Sequence, residues 1–155
     1  MSGAQLGLNA RFYIGDTFAA ATVPTTWNVT NNVKDLTLNL TKDVADVTTR
    51  ANNGFKAYIA TLKDASISFM SIFDDSDAQQ EVMADAFFDN TQIWVRVMDK
   101  AVGLTGTTSQ GLRAYCEVTS FTRNEQLTEG LTLDIELKPA FNLTNPPIWE
   151  KIVTP

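Results

Sequence analysis

Alternation of apolar and polar positions with a period of two runs through most of this chain and predicts β-strands. In Val33–Lys42, three leucines alternate with polar residues, so one face of the predicted strand is apolar and the other is solvated. Similar short runs, bounded by turn residues, mark the remaining strands at Arg11–Ile14, Phe55–Leu62, Ala65–Phe73, Gln92–Met98, Leu112–Arg123 and Thr128–Lys138. About seven strands indicate a single-domain β-sandwich or small barrel spanning residues 1–155.

The period becomes helical only between about residues 75 and 90. Apolar residues recur there on one stripe, at Val82, Met83, Ala86 and Phe87. Ser76 with Gln79 fits a capping box, and Asn90 fits the left-handed residue that ends many helices. The chain is therefore predicted to be mainly β, with one α-helix packed on the strands.

Three segments lack a clean period. Residues 43–54 are polar and end in the turn signal Asn53-Gly54, so we predict a long loop of the kind that is usually functional or disordered. Residues 99–111 are rich in Gly, Thr and Ser and are predicted to form a flexible loop. Residues 139–155 read as an extended C-terminal arm whose apolar side chains need cover from their own domain or from a neighbouring subunit.

Net charge and the distribution of apolar residues exclude some classes of function. The chain has 155 residues and a formal net charge of −6, so a basic patch that binds nucleic acid specifically is not expected. The N-terminal residues lack the basic and apolar regions of a signal peptide, and no apolar run is long enough for a transmembrane helix. We therefore expect a protein made in a cytosol, with no membrane partner.

The residue types offer little for catalysis. Histidine is absent, which removes Ser/His/Asp and Cys/His machinery and most zinc sites. Cys116 lies on an apolar strand face without a base, which favours an inert core thiol. Asp134 and Glu136 could form a glycosidase pair, but Thr132 and Lys138 beside them favour a solvated strand face. We expect no enzyme activity, no cofactor and no metal.

Two further groups of residues are candidate sites. The run Asp74, Asp75 and Asp77 could bind a cation, but it lacks the pattern of a calcium loop, and capping of the helix is favoured. A sugar-binding aromatic platform would need side chains that are scattered along the sequence, so core or subunit-interface packing is favoured. The aromatic residues concerned are Trp27, Trp94, Trp149, Tyr58 and Tyr115.

Taken in order, the elements resemble the tail tube (major tail) protein family of long-tailed bacteriophages. The resemblance covers roughly residues 27–150, and its most specific part runs from Thr48-Thr-Arg50 through Gly54 into Thr61-Leu-Lys-Asp64. The other matching pieces are Trp27-Asn-Val, Asn32-Val-Lys-Asp-Leu-Thr-Leu38, Asp46–Phe55, Thr61–Phe69, the helix, Ile93–Met98, the Gly-rich loop and Leu137-Lys-Pro139. Inner tubes of contractile injection and secretion systems share this fold, so they stay open as an alternative, with a carbohydrate-binding β-sandwich as a weaker one.

The resemblance implies a structural role. Family members form six-fold rings that stack into a hollow tube for the passage of viral DNA, and each subunit adds about four strands to a continuous inner barrel. It also implies a helix on the outside between subunits, a location in the virion tail after assembly in the host bacterial cytoplasm, and tape measure and tail terminator proteins as partners. The loop that would reach the adjacent ring contains Asp43, Asp46, Thr48, Thr49, Arg50 and Asn53.

The dimensions of such a ring suit double-stranded DNA. About 24 strands at ~4.8 Å spacing give a lumen of ~27 Å between side chains, wider than a duplex of roughly 20 Å. Polar side chains opposite the leucine faces are candidates for the lumen wall, where an acidic tube lets DNA slide without specific binding. They are Thr37, Asn39, Thr132, Asp134 and Glu136, and the subunit-interface candidates are Trp94, Phe141 and Trp149.

Overall fold

A computed structural model describes residues 6–155 and shows a single mainly β domain with one α-helix. Residues 1–5, part of the segment judged not to be a signal peptide, lie outside the described residues. The helix α1 is Ala78–Asp89, and the strands are β1 Arg11–Gly15, β2 Trp27–Val29, β3 Val33–Asp46, β4 Tyr58–Ile72, β5 Gln92–Met98, β6 Thr107–Asn124, β7 Thr132–Pro139 and β8 Ile148–Thr154. The predicted fold class is confirmed.

All eight strands belong to one curled antiparallel sheet. Its order is β2-β1-β5-β6-β7-β4-β3, and β8 pairs with β6 outside this path. The rings of Phe12 in β1 and Phe69 in β4 lie 4.8 Å apart although their strands are not neighbours, which shows that the sheet folds back on itself. The enclosed core contains the alternating apolar residues of β4, β5, β6 and β7, and it forms because a sheet buries the face on which those residues recur.

Helix α1 follows β4 in the sequence and packs against β6 and β5, where it covers the core. Met83 and Ala86 are buried, and the ring of Phe87 stacks on that of Phe121 at 6.3 Å. The helix begins two or three residues later than predicted, because Asp77 rather than Ser76 accepts the Gln79 N–H at 2.9 Å. Asn90 ends the helix in the left-handed conformation at φ 54°, as predicted.

The outward face of β5 is covered as well. Residues 16–26, here called the strap, lie across it, and two consecutive strap carbonyls accept hydrogen bonds from side chains of β5 and β6. The Trp94 indole N–H donates to Ala19 O at 3.0 Å, and the Tyr115 hydroxyl donates to Phe18 O at 2.8 Å. Every residue from Ile93 to Met98 is buried, whereas the sequence pattern predicts only one face of this strand in the core. On the outward face the strap contacts Trp94, and Trp27 of β2 lies over Arg96.

The predicted break near Lys63-Asp64 does not exist. β4 runs unbroken through it, with Lys63 opposite Lys42 of β3. The segment 43–54 is likewise not an irregular loop throughout, because β3 continues to Asp46 and pairs with Tyr58. β3 and β4 therefore form one long hairpin. Its outer half was not predicted as such, since backbone pairing continues where the apolar alternation stops.

The segments 99–111 and 139–155, predicted to be irregular, also contain strand residues. β6 starts at Thr107, inside the predicted flexible loop, because β8 pairs with Thr107–Arg113. Gly111 lies where β5 and β8 flank β6, and a Cβ there would come within 1.6 Å of Val97 O, so close backbone approach explains this glycine. The predicted C-terminal arm is irregular up to residue 147, with the Asn142 and Asn145 side-chain amides donating to Ala20 O, and then becomes β8.

Candidate assembly surfaces

The most exposed part of the molecule is the outer half of the β3–β4 hairpin, residues 41–64, here called the arm. Its strand residues are all exposed, and it pairs only with itself among the described residues. Large apolar side chains nevertheless occupy it, with Phe55 76% and Leu62 72% exposed. The others are Val44, Val47, Tyr58 and Ile59. Exposed apolar side chains in this number, on both faces of the hairpin and at its tip, mark an interaction surface.

The tip of the arm is ordered by its own hydrogen bonds. The Val47 N–H donates to Ala57 O at 2.9 Å, and the Ala57 N–H donates to the Thr48 hydroxyl oxygen at 2.9 Å. Asp46 accepts from the Thr48 N–H at 2.9 Å, and this side chain's hydrogen bonds to Thr48 hold its carboxyl pKa below the ordinary range. The tip therefore forms a hydrogen-bonded turn with a defined shape.

The six residues predicted for inter-ring contact all lie in the arm. Asp43 and Asp46 stand on β3, and Thr48, Thr49, Arg50 and Asn53 form the turn at the tip. Asn53 has a left-handed backbone at φ 52° after a short 3-10 turn at Arg50–Asn52, which reverses the chain. The apolar arm residues beside them were missed because polar neighbours interrupt their alternation.

The predicted lumen residues share one sheet face. β3, β4, β7 and the second half of β6 form a four-stranded layer in which Thr37 pairs with Ser68, Ser68 with Glu136, and Glu136 with Ser120. Asp134 lies two residues from Glu136 on the same face and accepts from the Asn124 amide at 2.6 Å. The structure therefore brings Thr37, Asn39, Thr132, Asp134 and Glu136 onto one polar surface.

The C-terminal segment carries the second apolar surface. Phe141 and Leu143 are 88% and 86% exposed, and Trp149 on β8 is 56% exposed. Trp149 borders a groove of about 870 Å³ that also contacts Leu40 and Pro147. Phe141 and Trp149 are thus exposed as the interface prediction required, whereas Trp94 is fully buried beneath the strap and is removed from that set.

A buried charge cluster fastens β8 to the body. Glu150 lies 3.6 Å from a guanidinium nitrogen of Arg96 and 3.4 Å from one of Arg113. The Arg96 guanidinium also lies 4.5 Å from the ring centre of Trp27 and 5.1 Å from that of Tyr13. Burial is the main cause that lowers the pKa of Arg96, and Glu150 opposes it. Sequence reasoning missed this cluster because its members lie on separate strands.

The sequence offers an aromatic platform, a cysteine and an acidic run as alternative candidate sites, which the structure places as follows. The aromatic platform does not form, because Trp94 and Tyr115 are buried and Trp27 packs over Arg96. Cys116 is buried, and desolvation raises the pKa of its thiol to about 12. Within residues 6–155, no group of three or more His, Cys, Asp or Glu side chains is placed to hold a metal ion. In the same range, no helix has the length and apolar character needed to cross a membrane.

The fold and its exposed arm define a structural β protein, and sequence comparison identifies the family. The model for phage tail tube proteins matches residues 15–140, so this chain belongs to the phage tail tube protein family. No curated protein sequence was found to match the chain at a significant level.

Solved structures share the fold at low sequence identity. The tail of an empty gene transfer agent particle with C6 symmetry has a TM-score of 0.68 and 14% identity, covering 97% of this chain and 100% of that one. The SPP1 tail tube has a TM-score of 0.70 and 11% identity, covering 97% and 81%. The anti-feeding prophage baseplate, 6-fold symmetrised, has a TM-score of 0.65 and 11% identity, covering 99% and 98%.

Proposed function

We propose that six copies of this chain form a ring, that rings stack into a hollow tail tube, and that viral DNA passes through it during ejection. The subunit works by assembly and has no catalytic role. It is built into the virion tail from the host bacterial cytoplasm, where the tape measure and tail terminator proteins set the tube's length and end. Family membership supports the tube, and the C6 symmetry of a similar structure supports six copies.

The observation that carries the proposal is the exposed apolar arm. Phe55, Ile59 and Leu62 of the hairpin are exposed to water. Exposure of apolar surface destabilises the isolated subunit by about 25 cal/mol for each Å². Contact with a neighbouring copy in the adjacent ring recovers that free energy. Because the tip is already ordered, little additional entropy is lost on docking.

The polar layer face suits a DNA-conducting wall. Thr37, Ser68 and Ser120 are short and uncharged, and Asp134 and Glu136 are acidic. The same face also carries the exposed Lys138, two residues from Glu136 on β7. Tight binding to duplex DNA needs several cationic contacts with phosphates, and acidic side chains accompany this lysine, so DNA slides along the wall without being held.

Electron microscopy of the purified protein with and without the arm tests the proposal. Replacing residues 43–62 by Asn-Gly shortens the hairpin at the Lys42–Lys63 pair and keeps both strands matched, since Asn-Gly favours two-residue turns. The full chain is expected to form rings or tubes at high concentration, and the shortened chain to stay folded by circular dichroism but form no tubes. A full chain that remains monomeric at all salt and protein concentrations, or normal tubes without the arm, would contradict the proposal.

An inner tube of a contractile injection system is the second candidate. The specific observation in its favour is the fold shared with the anti-feeding prophage baseplate over 99% of this chain. The two candidates differ in cargo. Particles isolated from the producing cells would contain DNA if the chain belongs to a phage tail, and a DNA-free particle with a contractile sheath would favour the injection system.

A further inference from the structure

We propose that Asn53, at the tip of the arm, is a site of spontaneous deamidation, and that docking of the tip in an assembled tube protects it. The product carries aspartate or isoaspartate in place of the neutral asparagine. The reaction depends only on the geometry of the tip, whereas its suppression in tubes rests on the proposed function, a subunit that stacks through the arm.

The turn at the tip requires the dipeptide Asn53-Gly54. Asn53 has φ 52° and ψ 38°, and Gly54 has φ 83°, so two consecutive residues have a positive φ. A positive φ at both central positions defines a type I′ turn, for which Asn-Gly is a preferred pair. The Phe55 N–H closes the turn by donating to Asn52 O at 2.9 Å. The chain reversal therefore explains why this chemically labile pair is present.

The reaction joins the Asn53 side chain to the next main-chain nitrogen. After losing its proton, the Gly54 nitrogen attacks the side-chain carbonyl carbon Cγ, a C–N bond forms, and the side-chain nitrogen leaves as ammonia. Water then adds to one of the two carbonyl carbons of the succinimide ring and breaks that carbon's bond to the ring nitrogen. One opening gives aspartate, and the other gives isoaspartate, whose main chain contains an additional carbon atom. Each reaction consumes one water and releases one ammonia, with no oxidation or reduction.

The surroundings of Asn53 favour this attack. Gly54 has no side chain to obstruct its nitrogen, and a Cβ placed there would meet no heavy atom within 4 Å. Both residues are exposed, and within residues 6–155 neither the Gly54 N–H nor the Asn53 side-chain amide makes a hydrogen bond. Water therefore reaches the reacting atoms, and no hydrogen bond of theirs has to break first.

Asn90 is the matched comparison in the same chain. It is also exposed and left-handed, with φ 54° and ψ 36°. The residue after it is Thr91, whose N–H donates to Ala86 O at 3.1 Å and whose branched side chain crowds that nitrogen. Backbone conformation and exposure are thus alike at the two asparagines, and the following nitrogen is what differs. We therefore expect Asn53 to react much faster than Asn90.

Several other asparagines are held by their side chains. The Asn32 amide donates to Asp77 and the Asn124 amide to Asp134, while Asn142 and Asn145 both donate to Ala20 O. In the whole sequence, Asn53 is the only asparagine followed by glycine. The reactive pair is therefore confined to the tip of the arm.

The product alters the tip in two ways. Either form adds one negative charge, which takes the formal charge of a copy from −6 to −7, on a tip that already carries Asp46. Isoaspartate also lengthens the main chain inside the turn, so the hydrogen bond from Phe55 to Asn52 loses its geometry. Both changes disturb docking against the adjacent ring. A docked tip, in turn, lacks the freedom to rotate that closure of the succinimide ring requires. Unassembled copies therefore have a limited time in which they can join a tube.

Ageing of dispersed and assembled protein tests the proposal. The full chain is kept as dispersed protein at low concentration and as tubes at high concentration, in the same mildly alkaline buffer. Trypsin cleavage after Arg50 and Lys56 releases residues 51–56. Mass spectrometry of this peptide detects the exchange of NH2 for OH, and fragmentation locates it and distinguishes isoaspartate from aspartate. Asn90, in the tryptic peptide 64–96, is the internal control.

In dispersed protein, we expect Asn53 to deamidate at least tenfold faster than Asn90, and at least tenfold faster than Asn53 does in tubes. When aged dispersed protein is then concentrated, the modified form should be enriched in the fraction that stays unassembled. Asn53→Gly retains a residue suited to positive φ but has no side-chain amide. Its tube yield, compared with that of its own fresh protein, should not fall with ageing.

Equal rates at Asn53 and Asn90 in dispersed protein would overturn the site. Equal rates at Asn53 in tubes and in dispersed protein, or an equal share of modified copies in both fractions, would overturn the protection by docking. Failure of the fresh chain to form any tube would contradict the proposed function and with it the protection. The dispersed protein would in that case still decide the chemistry at Asn53.

Discussion

β5 and the arm are both antiparallel β-structure, but their burial is opposite. Ile93–Met98 of β5 is buried on both faces, on one by the core and on the other by the strap over Trp94 and by Trp27 over Arg96. The strand residues of the arm are exposed on both faces, although apolar residues such as Ile59 and Leu62 occur there too. The body thus obtains its stability within one chain, and the arm leaves apolar surface for another chain to cover. The following predictions test that division, from the largest expected effect to the smallest.

Trp94→Ala is expected to destabilise the unassembled protein most, by about 3–5 kcal/mol, because it removes a fully buried ring and its hydrogen bond to Ala19. Phe55→Ala at the arm is the matched aromatic control, and its 76% exposed side chain should change the free energy of unfolding by less than about 0.5 kcal/mol. Urea unfolding followed by fluorescence or circular dichroism measures both. Equal losses from the two variants would refute the division between body and arm.

Glu150→Gln is expected to cost about 1–3 kcal/mol, because it leaves the Arg96 and Arg113 guanidinium groups without their carboxylate partner in a largely buried site. Hydrogen exchange should accelerate first in 148–154. The control is Glu125→Gln, which breaks the half-exposed pair with Arg123 and should cost at most about 0.5 kcal/mol. If β8 exchange stays unchanged in Glu150→Gln, the charge cluster does not fasten this strand.

The double variant Ile59→Ser with Leu62→Ser is expected to unfold within about 0.5 kcal/mol of the unaltered monomer, because both side chains are already exposed. Tube growth, followed by light scattering and sedimentation, should fall sharply since the covered apolar surface is lost. Leu104→Ser, at a 53% exposed leucine outside the arm, is the control and should assemble normally. Normal assembly of the double variant would remove these residues from the inter-ring surface.

The smallest effect concerns the arm tip and pH. The Thr48 hydrogen bonds lower the folded-state pKa of Asp46 below its ordinary value of 3.8, so they favour the folded tip above that pH and lose this effect as pH falls through the lowered pKa. Thr48→Ala should move the Asp46 pKa back towards 3.8, measured by NMR titration of its carboxyl carbon. Asp74, whose pKa is lowered mainly by Ser76, is the internal control and should titrate unchanged in that variant. An unchanged Asp46 titration would show that Thr48 does not hold the carboxylate.

Much of the architecture could be read from local pattern. The alternation of apolar and polar residues predicted β3 and β7 near their observed positions. The helical period likewise predicted the single helix, which Asn90 terminates. The lumen candidates also reached one face, because alternation decides which side of a sheet a residue occupies once the register is set. The inter-ring residues came from family resemblance, and their role remains a proposal.

The remaining features depend on pairings between distant parts of the chain. Nothing near Thr107–Ser109 signals a strand, since β8 supplies its partner from more than 40 residues later. Trp94 was predicted to be an interface residue, but the strap buries it. Its contact there, Ala19, lies 75 residues earlier in the sequence, so no local pattern indicates the burial. The cluster of Arg96, Arg113 and Glu150 likewise combines three strands, so no window of sequence contains it.

The sequence by itself determined the mainly β class, the helix, the lack of histidine chemistry and the acidic character of the chain. Those properties follow from composition and from alternation between close neighbours. Only the tertiary structure decided that residues 43–46 extend a strand, that Trp94 belongs to the interior and that Glu150 anchors β8. The reason is physical: backbone pairing and burial depend on which surfaces meet after the chain has folded, and a one-dimensional pattern does not contain that choice.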